Sequence, residues 1–375
     1  MAEITRRALL ALLAAAGALP APGALAQARG TARYLSSVGD AAGSHAFAGL
    51  DGDGRIAFRH PLPDRGHGVT VHPAGRHALI VARRPGTFLH VVDLADGSPV
   101  AAVTSPANRH FYGHAVYSAD AALLYATENA WAEGDGVIGV YDVAAGYARV
   151  GEFACHGIGP HELRLMPDGR TLAVAIGGIR THPDHDRDPL NLDTMQPSLA
   201  YLDAADGRLL HRASLDPALF QLGIRHLDVT ADGRVGLALQ YEGPERDVMP
   251  VAAVQQGDGP IRLLEAPAAV ARRSRNYGGS ARFDASGRVL AVTCPRGSMA
   301  LFWDVDEARF LGRAAVSDGC GVAALPGAGR FIIASGAGGL VLVEALAPDG
   351  PAVRALAGGD ADALFWDNHL TITGT

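Results

Sequence analysis

The chain has 375 residues, which is enough for two average domains or for one large repeat fold. Its formal charge of −7 gives no basic surface of the kind that binds nucleic acid. All 32 basic residues counted as lysine or arginine are arginine, and this excludes lysine Schiff-base chemistry and a Walker-type phosphate loop.

The first 26 residues resemble an export signal. Arg6 and Arg7 precede a short apolar run, and Ala24-Leu25-Ala26 fits a cleavage site. We therefore expect residues 1–26 to be a twin-arginine (Tat) signal peptide and residues 27–375 to form one mature, periplasmic domain without a membrane span. The three cysteines leave at least one thiol unpaired in an exported chain.

One short unit recurs along the chain at a period of roughly 40 to 50 residues, which indicates a β-propeller. It is a strand that begins near a histidine and ends in a tight turn, and its clearest copies begin at His67, His161 and His226, with a fourth at His114. The copy at 161–213 predicts four strands, at His161–Met166, Thr171–Ile176, Ser198–Asp203 and Arg208–Ser214. The same pattern predicts further blades at 67–104, 113–153, 225–265, 278–314 and 319–356.

The seventh blade is predicted to be split between the two ends of the chain. Residues 32–62 contain strands at Ser44–Leu50 and Arg55–Pro61 but no first strand with a histidine. Residues 367–372 supply the missing strand, so the C-terminal strand is expected to pair with the N-terminal blade and close the ring. The sequence thus predicts an all-β, seven-bladed propeller that C-terminal truncation destabilises.

The histidines are predicted to meet at one mouth of the propeller, because each lies at the inner end of the first strand of a blade: His67, His114, His161, His226 and His369. Counted from the following turn, His114 and His226 align with Glu162 rather than with His161, so we expect that not all the rings point the same way. Several imidazoles together with Glu162 would suit Fe, Cu or Zn. The alternative is that these histidines only brace the strand starts.

Other residues of this face are candidates for anion binding or for a mobile lid. Arginines suited to a carboxylate or phosphate are Arg65, Arg83, Arg109, Arg225 and Arg296. A long insertion, residues 177–197, is expected to be a lid and carries His182, Asp184, His185 and Asp193.

At these residues the chain resembles the DUF1513 family of Tat-exported bacterial proteins. The resemblance spans about residues 32–372 and is carried by Arg65-Gly66-His67, Arg83-Arg84-Pro85-Gly86, Gly157–Glu162, Leu190–Met195, Arg225-His226-Leu227 and Trp366–His369. It implies a periplasmic, WD40-like propeller without an established activity, associated with iron-uptake systems. It supplies no catalytic residues.

Three functions follow as hypotheses. The first is a periplasmic propeller that binds a metal ion, or a small anionic or metal-chelate ligand, at the histidine face and assists iron acquisition. The second is a metal-dependent hydrolase, lactonase or redox enzyme on the same face, with Glu162 or a histidine as general base. The third is an interaction scaffold that docks a periplasmic iron-uptake protein.

Overall fold

The computed structural model describes residues 32–356 and 360–374 and shows a seven-bladed β-propeller. Each blade is an antiparallel sheet, and the innermost strands of successive blades contact one another around a central axis. The predicted leader, residues 1–26, lies outside the described residues. Among the described residues, no helix is long and apolar enough to cross a membrane.

The first 15 strands in chain order belong to the first four blades. Blade 1 begins with β1 (Tyr34–Gly39), β2 (His45–Leu50) and β3 (Ile56–Leu62). Blade 2 consists of β4 (Gly66–Val71), β5 (His77–Ala82), β6 (Phe88–Asp93) and β7 (Pro99–Thr104). Blade 3 consists of β8 (His110–Tyr117), β9 (Leu123–Ala130), β10 (Asp135–Asp142) and β11 (Ala148–Ala154). Blade 4 consists of β12 (Pro160–Leu165), β13 (Thr171–Ile176), β14 (Ser198–Asp203) and β15 (Leu209–Ser214).

The remaining strands complete the ring. Blade 5 consists of β16 (Leu222–Val229), β17 (Val235–Tyr241), β18 (Ala252–Gln255) and β19 (Arg262–Leu264). Helix α1 (Ala268–Ser274) leads to blade 6, which consists of β20 (Ser280–Phe283), β21 (Val289–Cys294), β22 (Met299–Asp304) and β23 (Arg309–Ala315). Blade 7 consists of β24 (Gly319–Ala324), β25 (Arg330–Ser335), β26 (Leu340–Glu344) and β27 (Ala352–Ala355), and β28 (Phe365–Trp366) and β29 (Thr371–Ile372) return to blade 1.

The apolar residues of these strands are buried between neighbouring blades. One core cluster joins Leu163 and Val174 of blade 4 to Tyr125 and Ile138 of blade 3. The fourth strand of a blade is more exposed; in β7 every residue is exposed or half-buried. The first turn of blade 4 is closed locally, because Asp168 accepts backbone hydrogen bonds from Arg170 and Thr171 and Gly169 has φ +68°. The repetition of antiparallel blades around one axis confirms the predicted seven-bladed propeller.

The two ends of the chain close the ring within blade 1. Strand β1 pairs with β2 on one side and with both β28 and β29 on the other. The predicted continuous strand at 367–372 is wrong in detail: β28 ends at Trp366 and β29 begins only at Thr371. Residues 367–370 between them leave the ladder, because the side chains of Asp367 and His369 are used at the histidine face.

The innermost strands share a second irregularity, a break in register at their inner ends. It lies between Gly66 and Val69 in β4, Phe111 and Ala115 in β8, Pro160 and Glu162 in β12, and Ile224 and His226 in β16. A bulge of this kind adds a residue to one strand and redirects its side chains. The bulges coincide with the histidine positions and therefore determine where those side chains point.

Deletion of residues 365–375 should strongly destabilise the propeller. It exposes the edge of β1 and removes Trp366 and Leu370, which are 3% and 1% exposed, from the core shared by blades 1 and 7. Loss of a buried Trp alone costs about 3–5 kcal/mol, so the free energy of unfolding should fall by at least that amount in chemical denaturation. A chain that ends at Thr373 is the control, since it keeps the hydrogen bonds of Thr373 to Ala32 and Arg33. Equal stability of the two truncated chains would contradict ring closure as a stabilising element.

Candidate functional site: a five-histidine cluster beneath an arginine cavity

All five predicted histidines converge at one end of the propeller axis. The ring centroids are 4.5 Å apart for His67 and His369, 4.6 Å for His161 and His226, and 6.0 Å for the wider pair His67 and His226. Every one of the five is buried. The sequence-based expectation that their differing register would turn some rings away is therefore wrong. The bulges let consecutive residues such as His161 and Glu162 both face the cluster.

Two of the imidazoles are held by buried carboxylates. His67 Nδ1 lies 2.9 Å from Asp367 Oδ1, and His226 Nδ1 lies 3.0 Å from Glu162 Oε2. Each carboxylate is in turn paired with an arginine, Asp367 with Arg65 and Glu162 with Arg164. A neutral imidazole that donates its Nδ1 proton to a carboxylate has its Nε2 lone pair free, which is the usual arrangement around a metal-bound histidine.

The cluster favours neutral imidazoles. Burial lowers the pKa of His67 to about 4 despite the opposing effect of Asp367, and burial also lowers the pKa values of His114, His161, His226 and His369. Neutral imidazole is the form that binds a metal ion. The environment therefore holds the five side chains in the protonation state that a ligand requires.

Some ring nitrogens of the cluster have no protein partner. His114 Nε2 and His161 Nδ1 are buried and make no hydrogen bond among the described residues. An unsatisfied buried polar atom costs about 1–3 kcal/mol, so such atoms indicate a ligand that satisfies them.

Two overlapping sets of side chains have the spacing of a metal site. One is His114, Glu162, His226 and His369; the other is His67, His114 and His161; in each set the ligand atoms lie within 4.8 Å of one another. His67 Nε2 and His369 Nε2, one from each set, form a ring-to-ring hydrogen bond of 3.2 Å. Two nitrogens bound to one tetrahedral Zn²⁺ at 2.0–2.1 Å would be about 3.3 Å apart, so a transition ion could replace the shared proton without moving the rings far.

Two glycines permit this close packing. A Cβ on Gly68 would lie 2.5 Å from the carbonyl oxygen of Gly113 and 2.9 Å from His114 Nδ1. A Cβ on Gly113 would lie 2.5 Å from His67 Cδ2, and the φ of +115° at this position also favours glycine. Each glycine follows or precedes a histidine of the cluster and makes space for the ring of the neighbouring blade.

A cavity of about 520 Å³ lies above the cluster, with His67, His161 and His226 in its wall. Most of its charged side chains are arginines: Arg65, Arg83, Arg84, Arg187, Arg225 and Arg296. Arg296 stacks on Tyr277 at 4.2 Å, and Arg65 pairs with Asp367. The histidine cluster therefore opens into a strongly positive chamber.

Some of the arginine and lid residues predicted from the sequence line the cavity, and others do not. Among the predicted arginines, Arg65, Arg83, Arg225 and Arg296 line the cavity. Arg109 does not, because it is bound to Glu133 and Glu152. Of the insertion, Ile179, Arg187 and Pro189 reach the cavity. The predicted lid residues do not line it: His182, Asp184, His185 and Asp193.

Glu162 lies within the cluster but is poorly suited to act as a general base. Burial alone would raise the pKa of its carboxyl, but His114, Arg164 and the hydrogen bond from His226 outweigh burial and lower that pKa. Both of its oxygens have partners, at 2.9 Å from Arg164 Nη2 and 3.0 Å from His226 Nδ1. Glu162 therefore orients His226 as a carboxylate.

Sequence reasoning did not single out four residues of this region: Asp367, Arg84, Arg164 and Arg187. Asp367 stands two residues before His369, and Arg84 directly follows Arg83, so each lay within a motif that had been noticed. Arg164 follows Glu162 by two positions, on the same side of β12, which is a usable signal for an ion pair. Arg187 lies among acidic residues of the insertion, and no motif in the sequence indicated that its side chain would reach the cavity.

The three cysteines are free and buried. Burial raises the pKa of Cys155 to about 12 and also raises those of Cys294 and Cys320. They are therefore protonated thiols that belong to the packing of the blades rather than to the histidine cluster.

The fold and the cluster define a β-propeller with histidine side chains gathered on its axis. The chain belongs to the family described as protein of unknown function (DUF1513), whose model matches residues 60–373. No curated protein matches the sequence.

Solved structures of quite different proteins share the fold. The periplasmic gluconolactonase PpgL of Pseudomonas aeruginosa is 18% identical with a TM-score of 0.61, and the match covers 92% of this chain and 99% of that one. Kuenenia stuttgartiensis hydrazine synthase is 14% identical with a TM-score of 0.60, covering 90% and 99%. A chain of the mitotic checkpoint complex is 11% identical with a TM-score of 0.52, covering 77% and 83%. At these identities the likeness shows the propeller fold alone.

The substitution Gly68→Ala should disturb the cluster measurably. Its Cβ would meet a backbone oxygen and the His114 ring, and overpacking of this kind costs about 1–3 kcal/mol. Gly151→Ala is the matched control, since a Cβ there meets nothing within 4 Å. Chemical denaturation of both variants tests the expectation; a Gly68→Ala protein as stable as Gly151→Ala would mean that the histidines are not closely packed.

Proposed function

We propose that the protein binds a transition-metal ion in the five-histidine cluster. The observation that carries this proposal is the meeting of buried, neutral imidazoles in two overlapping sets whose ligand atoms lie within 4.8 Å of one another. A purely structural role would satisfy these nitrogens internally, yet His114 Nε2 and His161 Nδ1 have no partner among the described residues.

The donor set favours Fe, Cu or Zn. The cluster offers imidazole nitrogens but no thiolate, and the nearby Glu162 carboxylate is already bound to His226 and Arg164. Imidazole suits these three ions better than Mg²⁺ or Ca²⁺. Asp367 and Glu162 would fix the orientation of His67 and His226 from behind, and Arg65 and Arg164 would balance the charge of those carboxylates. The protein therefore supplies nitrogen donors that are held rigidly and buried away from solvent. The carboxylates behind them are balanced by arginines.

His114→Ala should remove the bound metal, because His114 belongs to both sets of candidate ligands. Protein exported through its own leader should contain close to one equivalent of metal by elemental analysis, and the variant should contain less than a tenth of that. His90→Ala is the matched control: His90 forms a comparable pair with His60, at 3.0 Å, but lies outside the cluster.

A thermal melt separates loss of the ligand from loss of the fold. Adding the identified ion to metal-free protein should raise the melting temperature of the wild type and of His90→Ala but not that of His114→Ala. Folded wild-type protein that takes up none of iron, copper and zinc would refute the proposed function.

The biological setting is also a proposal. The Tat-type leader supports a periplasmic location, and the family resemblance supports a role in iron acquisition, with iron-uptake proteins of the periplasm as partners. If so, iron should compete successfully with zinc and copper for the cluster in protein exported by cells grown with all three.

An enzyme on the same face is the second candidate. PpgL, a protein with the same fold, is by its name a gluconolactonase. For this chain, however, the contacts of Glu162 argue against that residue as general base, so a hydrolase or lactonase here would have to use another group. Lactone hydrolysis that survives Glu162→Gln but not His114→Ala would favour this candidate.

A further inference from the structure

The positive charges of the cavity arginines are only partly balanced by nearby carboxylates. None of Arg83, Arg84, Arg187 and Arg225 forms an ion pair with a carboxylate among residues 32–356 and 360–374. Arg225 is buried, Arg83 and Arg84 are half-buried, and Arg187 is exposed. Cations that lose hydration are normally paired, since an unpaired one is not compensated.

Arg225 and Arg84 are the clearest cases. The Arg225 residue is only 5% exposed and lines the cavity. Within the part of the chain that the structure describes, Arg225 Nε and the buried Arg84 Nη1 have no hydrogen-bond partner. Burial and the neighbouring arginines lower the pKa of Arg84 to about 9, and burial lowers that of Arg83 to about 10. Two guanidinium groups thus project into the cavity with unused donors.

The nearby acids do not balance these charges. Six arginines line the cavity, and the carboxylates beside them are Glu242, Asp318 and Asp367, which leaves an excess of three positive charges. A divalent ion bound to the imidazoles below would add two more. A metal under unpaired arginines is electrostatically unfavourable unless an anion enters with it.

We propose that this cavity binds a small polyanion through carboxylate or phosphate oxygens, between the arginines and the histidine cluster. Guanidinium groups recognise both oxyanions with paired hydrogen bonds, and the volume suits a small molecule. His67, His161 and His226 line the same cavity, so one oxygen of the anion can reach a metal on the imidazoles. This last contact rests on the proposed metal site, whereas the arginine contacts do not.

Calorimetric titration of metal-free protein with citrate and with inorganic phosphate tests the arginine part alone. We expect saturable one-to-one binding of at least one probe, and the stronger of the two identifies the ligand as a polycarboxylate or a phosphate. Arg225→Gln and, separately, Arg84→Gln should weaken binding at least tenfold. Arg272→Gln, on exposed α1 outside this cavity, should leave it unchanged.

The stability of the variants provides an independent readout. Removing an unpaired cation that is buried, as Arg225 is, or half-buried, as Arg84 is, should raise the melting temperature of the ligand-free protein. Arg225→Gln and Arg84→Gln should therefore each melt above the wild type. A lower melting temperature in both variants would assign these arginines to the scaffold and overturn the proposal.

Titration of the metal with and without the anion tests the contact between the two. Citrate or phosphate should tighten metal binding by at least fivefold in the wild type, and metal should tighten anion binding by the same factor. In Arg225→Gln this coupling should disappear.

The two proposals fail in different ways. Anion binding without any metal uptake would refute the metal site and leave the polyanion site standing. Metal uptake by a protein that binds neither probe, with or without metal, would overturn the polyanion site and leave the histidine cluster as proposed. Probe binding that Arg225→Gln and Arg84→Gln do not alter would also overturn it.

Discussion

The convergence of seven inner strands on one axis is the constraint on which the rest of the structure depends. Each blade buries its apolar faces against its neighbours, and this packing fixes the inner strand ends in a small ring. The side chains at those strand ends are therefore held close together, even where their contacts with one another are unfavourable. Five neutral imidazoles are the outcome here, each with its ring centroid within 4.7 Å of at least one other.

The bulges and glycines turn this crowding into a defined arrangement. Without the extra residue in β12, His161 and Glu162 would face opposite sides of the sheet, as consecutive residues of a regular strand do. Without glycine at 68 and 113, the rings of His67 and His114 could not approach to 5.0 Å. Buried carboxylates then fix two of the rings, and each carboxylate is balanced by an arginine.

The second feature of the site is the positive charge of the arginines above the cluster. A structural hub would pair its charges internally, as Arg109 does with Glu133 and Glu152 on the same face. Arg84 and Arg225 remain unpaired instead, at an electrostatic cost that a bound anion would relieve. Metal and anion would then each reduce the cost of binding the other, because the cation offsets repulsion within the anion and the anion offsets the charge of the arginines.

The sequence by itself determined the blade repeat, the split first blade and the presence of a histidine in four inner strands, because strand periodicity and turn residues are local signals. It also placed most of the cavity arginines on the correct face. Only the tertiary structure decided that all five rings converge, that the last strand breaks at Asp367–Leu370, and that Arg109 is paired while Arg84 and Arg187 enter the cavity. Those outcomes depend on bulges and on contacts between residues far apart in sequence, such as His67 and His369, which are 302 positions apart. No local sequence pattern records such contacts.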